Sequence, residues 1–413
     1  MSIKHLYVGN FKGICSPSWI EIKPITIFIG ANSSGKSSCI HAMASLSQTL
    51  KVPNNSAPIV LDDEYANVHL GRFIEVIHSK SYQDTISLGL ATEEVSYPEM
   101  DGEGEHHKVS SVEATYNFKC SKRTQEIHID SASIKIGDIE YTLRRSSGDY
   151  VAINKKTSAK MTFSLEAGFL LSPESLLRSQ SPRDFIPLLH AQSALSKELW
   201  ATFYLGPFRE APRRKYETRG TSPDEVGPSG ESSITMLANE TIQTRKRPHL
   251  KEVSKWLEQL GLANSVNIKR VGTSDLVDFR LGLDDGTELP IADLGYGLSQ
   301  ILPVLTQCSF AQKNSTLLFE QPEIHLHTKS SRELASVFIE TATSKNCNIV
   351  IETHSPELVK QFLQELRAGS LNPEDFIFYK VERNEKETNI RQIEIDADED
   401  FDIYENWEKE IST

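Results

Sequence analysis

Apolar and polar residues alternate loosely from Ile3 to Phe11, and again around Trp19-Ile20-Glu21-Ile22, before the apolar run Ile25-Thr26-Ile27-Phe28-Ile29. That patterning predicts three strands. Just beyond a Gly/Ser-rich turn, residues 38–46 place apolar side chains at helical spacing, which predicts a helix. From Thr85 to about Asn154 the alternation returns in short runs: Ile86 to Leu90, Val109 to Phe118, Glu126 to Ile136 and Ile139 to Leu143. Gly- and charge-rich turns divide them, as in an antiparallel meander. The stretch from Asp101 to His107 between two of these runs reads as an exposed loop.

Between residues 173 and 203 the period changes, with Leu176, Leu177, Phe185, Leu188, Leu189, Leu195, Leu199 and Trp200 mostly three or four residues apart. A helical insertion is expected there. After the Gly-, Pro- and Ser-rich loop Gly220 to Gly230, an amphipathic helix is expected from about His249 to Leu260, ended by Gly261. Ser315 to Phe319, Asn348 to Ile351 and Phe376 to Glu382 read as later strands, the first two running into Glu320 and Glu352. No repeat or heptad pattern is visible. The expected class is α/β, in three consecutive parts: an N-terminal lobe with an antiparallel β subdomain (1–165), a mainly helical insertion (166–265) and a C-terminal lobe (266–413).

Composition narrows the setting. The 413 residues suffice for a large core, 38% are apolar, and no run approaches the length of a membrane span or the layout of a signal peptide. A cytoplasmic protein without membrane contact is expected. The five cysteines, Cys15, Cys39, Cys120, Cys308 and Cys347, are odd in number and scattered, as reduced packing residues would be. A net charge of −13 argues against a generic polyanion-binding surface. Against that sign, Arg209-Glu210-Ala211-Pro212-Arg213-Arg214-Lys215-Tyr216-Glu217-Thr218-Arg219 gathers five cations around an aromatic. It is read as a solvated loop, a nucleic-acid or phosphate contact through Arg209, Arg213, Arg214 and Lys215, or a protein contact. The acidic run Glu394, Asp396, Asp398, Glu399, Asp400 and Asp402 reads as a solvated tail.

The chemistry starts at Gly30-Ala31-Asn32-Ser33-Ser34-Gly35-Lys36-Ser37, a complete G-x-x-x-x-G-K-[ST] loop between a strand and a helix. Such a loop lets backbone N–H groups close around phosphates, supplies Lys36 to the β and γ phosphates, and offers the Ser37 hydroxyl to Mg²⁺. The helix N-terminus behind it favours anions. Nucleoside triphosphate binding is therefore expected, with Asn32, Ser33, Ser34, Gly35, Lys36, Ser37 and Ser38 as contacts. Downstream, Glu320 closes an apolar strand where a carboxylate can stand beside Mg²⁺. His354, in Thr353-His354-Ser355-Pro356, follows another core strand, where it either senses the γ-phosphate or packs. The Gly-rich turn Gly295-Tyr296-Gly297 opens an apolar helix and is either a plain helix start or a phosphate contact.

Taken in order, these motifs resemble the ABC-type ATPases related to structural-maintenance and RecF-like heads. Within that group they resemble the overcoming-lysogenisation-defect and Septu-type AAA ATPases of bacterial phage-defence loci. The resemblance rests on Asn10-Phe11-Lys12-Gly13, the loop at 30–37, Gly295 to Gln300 as signature, Glu320-Gln321-Pro322-Glu323-Ile324-His325-Leu326-His327, and Glu352 to Glu357 as switch. It extends to Tyr204-Leu205-Gly206-Pro207-Phe208-Arg209 and Val226-Gly227-Pro228-Ser229-Gly230-Glu231, and covers the middle of the chain poorly. It implies a P-loop NTPase of ABC-ATPase-like type using ATP and Mg²⁺, with Ser37 and Glu320 on the metal side and Glu320, Gln321 and His354 as catalytic positions. It also implies a head-to-tail homodimer or higher oligomer in which the signature of one subunit, with Gly295, Tyr296 and Gly297, covers the nucleotide of the other.

The chain departs from this family pattern at Gln321, where typical relatives carry a water-orienting carboxylate, and at Gly295, where many carry serine. An amide can hold water but cannot take its proton, so turnover is expected to fall roughly 10²- to 10⁴-fold. Glutamine here is either natural or an engineered trap for bound ATP. Glu323 is the nearby alternative, with Pro322 and the turn expected to aim it elsewhere. Several relatives carry a C-terminal nuclease domain, for which the residues after His354 leave no room. The expected function is a slowly hydrolysing sensor and scaffold for a separately encoded effector, plausibly a nuclease, in phage defence. The alternatives are a RecF-like DNA-repair ATPase and a nucleotide-locked structural subunit.

Overall fold

The computed structural model describes residues 2–101, 104–146, 148–178, 182–218 and 221–394. Arg219 and the acidic run from Asp396 to Asp402 lie outside the described residues. In chain order the first elements are β1 (Ile3–Gly9), β2 (Ser18–Glu21), β3 (Ile25–Ile29), α1 (Ser37–Lys51), α2 (Phe73–Val76), β4 (Ile86–Asp101), β5 (Gly104–Cys120) and β6 (Ile127–Ile136). Next come β7 (Ile139–Ser146), β8 (Asp149–Asn154), β9 (Lys160–Phe163), β10 (Leu165–Ala167), β11 (Leu170–Leu171), α3 (Ile186–Trp200), β12 (Thr202–Leu205) and β13 (Tyr216–Glu217). The remainder is α4 (Ser233–Gln243), α5 (Pro248–Gln259), β14 (Ser265–Arg270), β15 (Leu276–Gly282), β16 (Glu288–Pro290), α6 (Tyr296–Phe310), β17 (Thr316–Glu320), α7 (Thr328–Lys345), β18 (Asn348–Thr353), α8 (Pro356–Ala368), β19 (Phe376–Asn384) and β20 (Glu387–Gln392).

The chain forms two compact units that interleave along the sequence: residues 1–22, 33–202 and 381–390, and residues 23–32, 203–380 and 391–413. This differs from the consecutive lobes read from the sequence. The reason is β3, whose sheet partners lie more than three hundred residues downstream.

In the first unit, eight strands form an antiparallel sheet in the order β2-β1-β4-β5-β6-β7-β8-β9. Period-two alternation turns Ile134, Ile136, Tyr141 and Leu143 to a buried face, which α3 covers at β4 and β6, and a register shift in β6 between Ile129 and Ser131 leaves Ile129 buried as well. Aromatic rings lock the contact, with Tyr141 and Phe163 each within 6 Å of Phe185, and the Tyr141 hydroxyl donates to the Asp184 carbonyl at 2.8 Å. Two expectations change here. Of the stretch read as a loop, Asp101 belongs to β4 and residues 104–107 to β5, paired at Asp101 and Gly104, while residues 102 and 103 lie outside the described residues. The helical stretch is interrupted, because 3₁₀ turns at Pro173–Arg178 and Pro182–Phe185, each opening on a proline, precede α3, which starts at Ile186 with Pro187 in its first turn.

In the second unit, β17, β18, β3 and the Phe376–Lys380 part of β19 run parallel and side by side, with β12 outside β17. Every residue of β3, β17 and β18 is buried, as expected of parallel strands covered on both faces. Helices α5, α6 and α7 pack in sequence around Trp256, Ile301, Leu305, Leu334 and Phe338, all essentially inaccessible. A small antiparallel sheet of β13, β15 and β14, with β16 beside β15, lies against α5. Among the described residues no helix is long and apolar enough to cross a membrane.

Candidate functional site

The phosphate loop leaves the buried end of β3 and enters α1. Two of its residues require left-handed backbone, Ser33 at φ 62° and Gly35 at φ 103°. A side chain at Gly35 is excluded twice, because its Cβ would also stand 2.3 Å from Thr388 Oγ1. That hydroxyl donates to the Ser34 carbonyl at 2.9 Å, and the Thr388 N–H donates to the Gly13 carbonyl at 2.8 Å. One threonine of the β19–β20 hairpin thus braces both the loop and the Asn10–Gly13 turn. Lys36 and Ser38 are buried to 3% and 4% exposure. Ser34 Oγ is buried and, among the described residues, has no hydrogen-bond partner. Helix α1 starts without a side-chain cap hydrogen bond or an acid in its first turn, a helix N-terminus of the kind that favours anions.

In the second unit the strand register collects the other residues. Parallel pairing sets Glu320 beside Glu352 and Thr353 beside Ile29, so the acids, the switch segment and Gly30 all follow the C-terminal ends of adjacent strands. That edge is where open parallel sheets take ligands. The Glu320 carboxylate is 4% exposed and accepts the Tyr204 hydroxyl at 2.7 Å. Burial, reinforced by that acid, pushes the Tyr204 phenol far above its ordinary range, so tyrosine remains the donor.

Gln321 stands at φ 45°, an uncommon setting for a side-chain-bearing residue, and its N–H donates to the Glu352 carbonyl at 2.8 Å. The bend swings the chain so that Glu323 turns toward the switch, as its expected diversion by Pro322 requires. Glu323 Oε1 accepts the Thr353 hydroxyl at 2.5 Å and the His354 N–H at 3.3 Å. Its Oε2 is buried without a hydrogen-bond partner among the described residues. Burial raises the Glu323 carboxyl above the ordinary carboxylate range, while Thr353, backbone N–H groups and Arg209 pull it down. His354 is half-buried. Ser355 caps α8 by accepting the Leu358 N–H, and Pro356 takes the first helical position, which explains the Thr-His-Ser-Pro order as a helix start.

Arg209 corrects the reading of the basic run. It is only 7% exposed, and its guanidinium donates to the Glu320 carbonyl at 3.0 Å and the Gln321 carbonyl at 3.2 Å, so it is spent inside the fold and unavailable to nucleic acid. Burial lowers its pKa to about 10, with Glu323, Tyr204 and Glu320 opposing. Arg214 forms a fork to Asp293 at 2.6 and 2.9 Å, and Arg213 pairs with Glu210. Lys215 remains beside a cleft that Glu210, Glu217 and Glu231 also line. The run carries mixed charge in space, because its own and neighbouring acids fold back onto it. Arg209→Ala is expected to cost about 3 kcal/mol of stability, since two buried carbonyls lose charged donors. Urea unfolding measures this, and Arg209→Lys should restore little, because one ammonium lacks the fork.

The Gly295–Gly297 turn caps α6, and a Cβ on Gly297 would lie 2.6 Å from the His325 carbonyl, so glycine is needed for close packing. Tyr296 meets the His325 ring edge-to-face at 5.5 Å and is still 54% exposed. Gly295 faces open space, where a serine side chain would fit. Sequence reasoning missed Tyr204, Arg209 in its buried role, Glu323 as the partner of His354, and Thr388. The only signal for the first two was the Tyr204 to Arg209 segment itself.

A glycine-rich loop between strand and helix, carboxylates at the ends of neighbouring parallel strands and an antiparallel subdomain define an α/β P-loop ATPase fold of ABC type. The chain belongs to the AAA ATPase domain family, whose model matches residues 1–173 and 228–359. None of the curated proteins matches it in sequence. Among solved structures it is similar to an SMC head domain from Thermotoga maritima, at 10% identity and TM-score 0.41, covering 96% of this chain and 100% of that one. It is also similar to an Smc head bound to the C-terminal winged-helix domain of ScpA, at 11% identity and TM-score 0.46, covering 96% and 98%. A third is an Smc head with an extended coiled coil bound to the C-terminal domain of ScpA derived from Pyrococcus furiosus, at 9% identity and TM-score 0.45, covering 100% of both chains.

Proposed function

We propose that the chain is a slowly hydrolysing ATP switch that closes as a head-to-tail dimer and acts as sensor and scaffold for a separately encoded effector, plausibly a nuclease, in anti-phage defence. The observation that carries the switch is Glu323, which joins the Glu320–Gln321 segment to Thr353 and His354 through 2.5 and 3.3 Å hydrogen bonds. A shift at the catalytic strand is thereby passed to the switch segment. The defence role and its effector rest on the motif resemblance.

In this reading the loop from Asn32 to Ser38 holds the phosphates, with Lys36 as fixed charge and the unpartnered Ser34 hydroxyl as a further donor. Ser37 and Glu320 are hard oxygen donors suited to Mg²⁺, which when bound neutralises charge between the β and γ phosphates. Gln321 holds the attacking water without accepting its proton, which makes the hydrolytic step slow. His354, whose backbone N–H Glu323 accepts, reads the γ-phosphate through its imidazole. Gly295, Tyr296 and Gly297 meet the nucleotide of the partner subunit, and the exposed Tyr296 supports this assignment.

Light scattering with ATP and Mg²⁺ should double the molecular mass, and ADP should return it to that of the monomer. A mass indifferent to nucleotide would overturn the dimer switch. A dimer that survives ATP removal would instead favour the nucleotide-locked subunit.

A further inference from the structure

Away from the nucleotide loop's own chemistry, the first unit brings together Cys15, His78 and Glu387, whose ligand-capable atoms all lie within 4.8 Å of one another. They come from three distant places: the turn after β1, the turn after α2, and the first residue of β20. We propose that these three side chains bind one Zn²⁺ ion, with water in the fourth position, and that the ion clasps the β20 end of the hairpin, which braces the phosphate loop through Thr388, to the turn after β1.

Four observations support this. The donor set of thiolate, imidazole and carboxylate is one that zinc takes and that Mg²⁺ or Ca²⁺ does not. His78 Nδ1 lies 3.0 Å from the Lys12 carbonyl, so it carries the hydrogen and donates it, leaving the Nε2 lone pair for a metal. This is the carbonyl-oriented histidine that metal sites use.

The backbone also positions the ligands before any ion arrives. The Asn10 N–H donates to the Cys15 carbonyl at 2.9 Å, and the His78 N–H donates to the Asn10 carbonyl at 3.1 Å. Thr388, next to Glu387, is held by the Gly13 and Ser34 carbonyls. All three ligand-bearing segments are therefore tied to one turn, so an ion would pay little for ordering them. Finally, the Cys15 thiol and the Glu387 carboxylate lie within 4.8 Å of each other, so a divalent cation held between them would engage both.

The link to the nucleotide is Thr388, one residue from Glu387 and the brace of Ser34. Metal occupancy should stiffen the phosphate loop without touching ATP. The three ligands stand together whether or not the chain serves phage defence.

Co²⁺ titration of the tag-free, metal-stripped full chain tests the site. One equivalent should bind with a thiolate-to-cobalt charge-transfer band, and Zn²⁺ should displace it. Cys15→Ser should abolish the band, and His78→Ala and Glu387→Gln should each weaken binding by about 10- to 100-fold or more. Glu387 is exposed, so its variant leaves the fold intact and keeps the test valid if Cys15→Ser folds poorly. Hydrogen exchange of residues 10–15 and 384–388 should slow on adding Zn²⁺ to the wild type and stay unchanged in Glu387→Gln. Absence of the band, or binding indifferent to all three substitutions, would overturn the proposal.

Discussion

Lys36→Ala lowers ATP turnover by about a hundredfold or more and abolishes the nucleotide-dependent mass change. Lys36 is 3% exposed at the mouth of a helix that supplies neither a side-chain cap nor a first-turn acid. Its ammonium is the one cation that the G-x-x-x-x-G-K-[ST] pattern assigns to the phosphates. In a buried setting a lost charge is poorly replaced by water. Helix α1 should persist, since its packing comes from Ile40, Met43, Leu46 and Leu50. Phosphate release, with a fluorescent-nucleotide titration and a melting curve, separates loss of binding from loss of fold. Undiminished turnover would mean that the phosphates bind elsewhere.

Gln321→Glu is expected to act in the opposite direction, raising turnover by roughly 10²- to 10⁴-fold by restoring a group that can take a proton from water. The exchange alters charge with almost no change in shape. The backbone should tolerate it, because the φ 45° bend is held from both sides, by the Gln321 N–H on the Glu352 carbonyl and by Arg209 on the Gln321 carbonyl. The cost is a further acid near Glu320, Glu352 and Glu323, which bound Mg²⁺ and Arg209 would offset in part. Single-turnover phosphate release measures the chemical step apart from dimer opening. If the rate stays level, Gln321 does not orient the water. Glu323, with its buried Oε2, becomes the carboxylate to substitute next, and Glu323→Gln would then be the variant that stops the reaction.

Periodicity was a reliable guide where a segment's surroundings are uniform. The strand entering the loop, the helix following it, the meander from β6 to β8, and the helix expected at 249–260 and found at 248–259 each bury one face or both. It was poorer where proline chemistry competed with spacing, as in residues 173–185, and where strands outrun their apolar stretch, as β4 does by reaching Asp101. Helix α4 and the small sheet of β13 to β16 went unread, because they are short and gain their stability from α5 and α6.

The linear chain by itself determined that a phosphate loop lies between a strand and a helix, that acids end two later apolar strands, and that the net charge disfavours a general polyanion surface. Those are local facts of residue type and spacing, which neighbours in sequence settle. Only the tertiary structure decided which carboxylate faces which histidine, that Arg209 is a buried brace, that Thr388 holds Ser34, and that Cys15, His78 and Glu387 meet. These contacts join residues tens to hundreds of positions apart. Their existence depends on strand order and register, which the side-chain pattern of one strand cannot encode, because any partner of the same period would satisfy it.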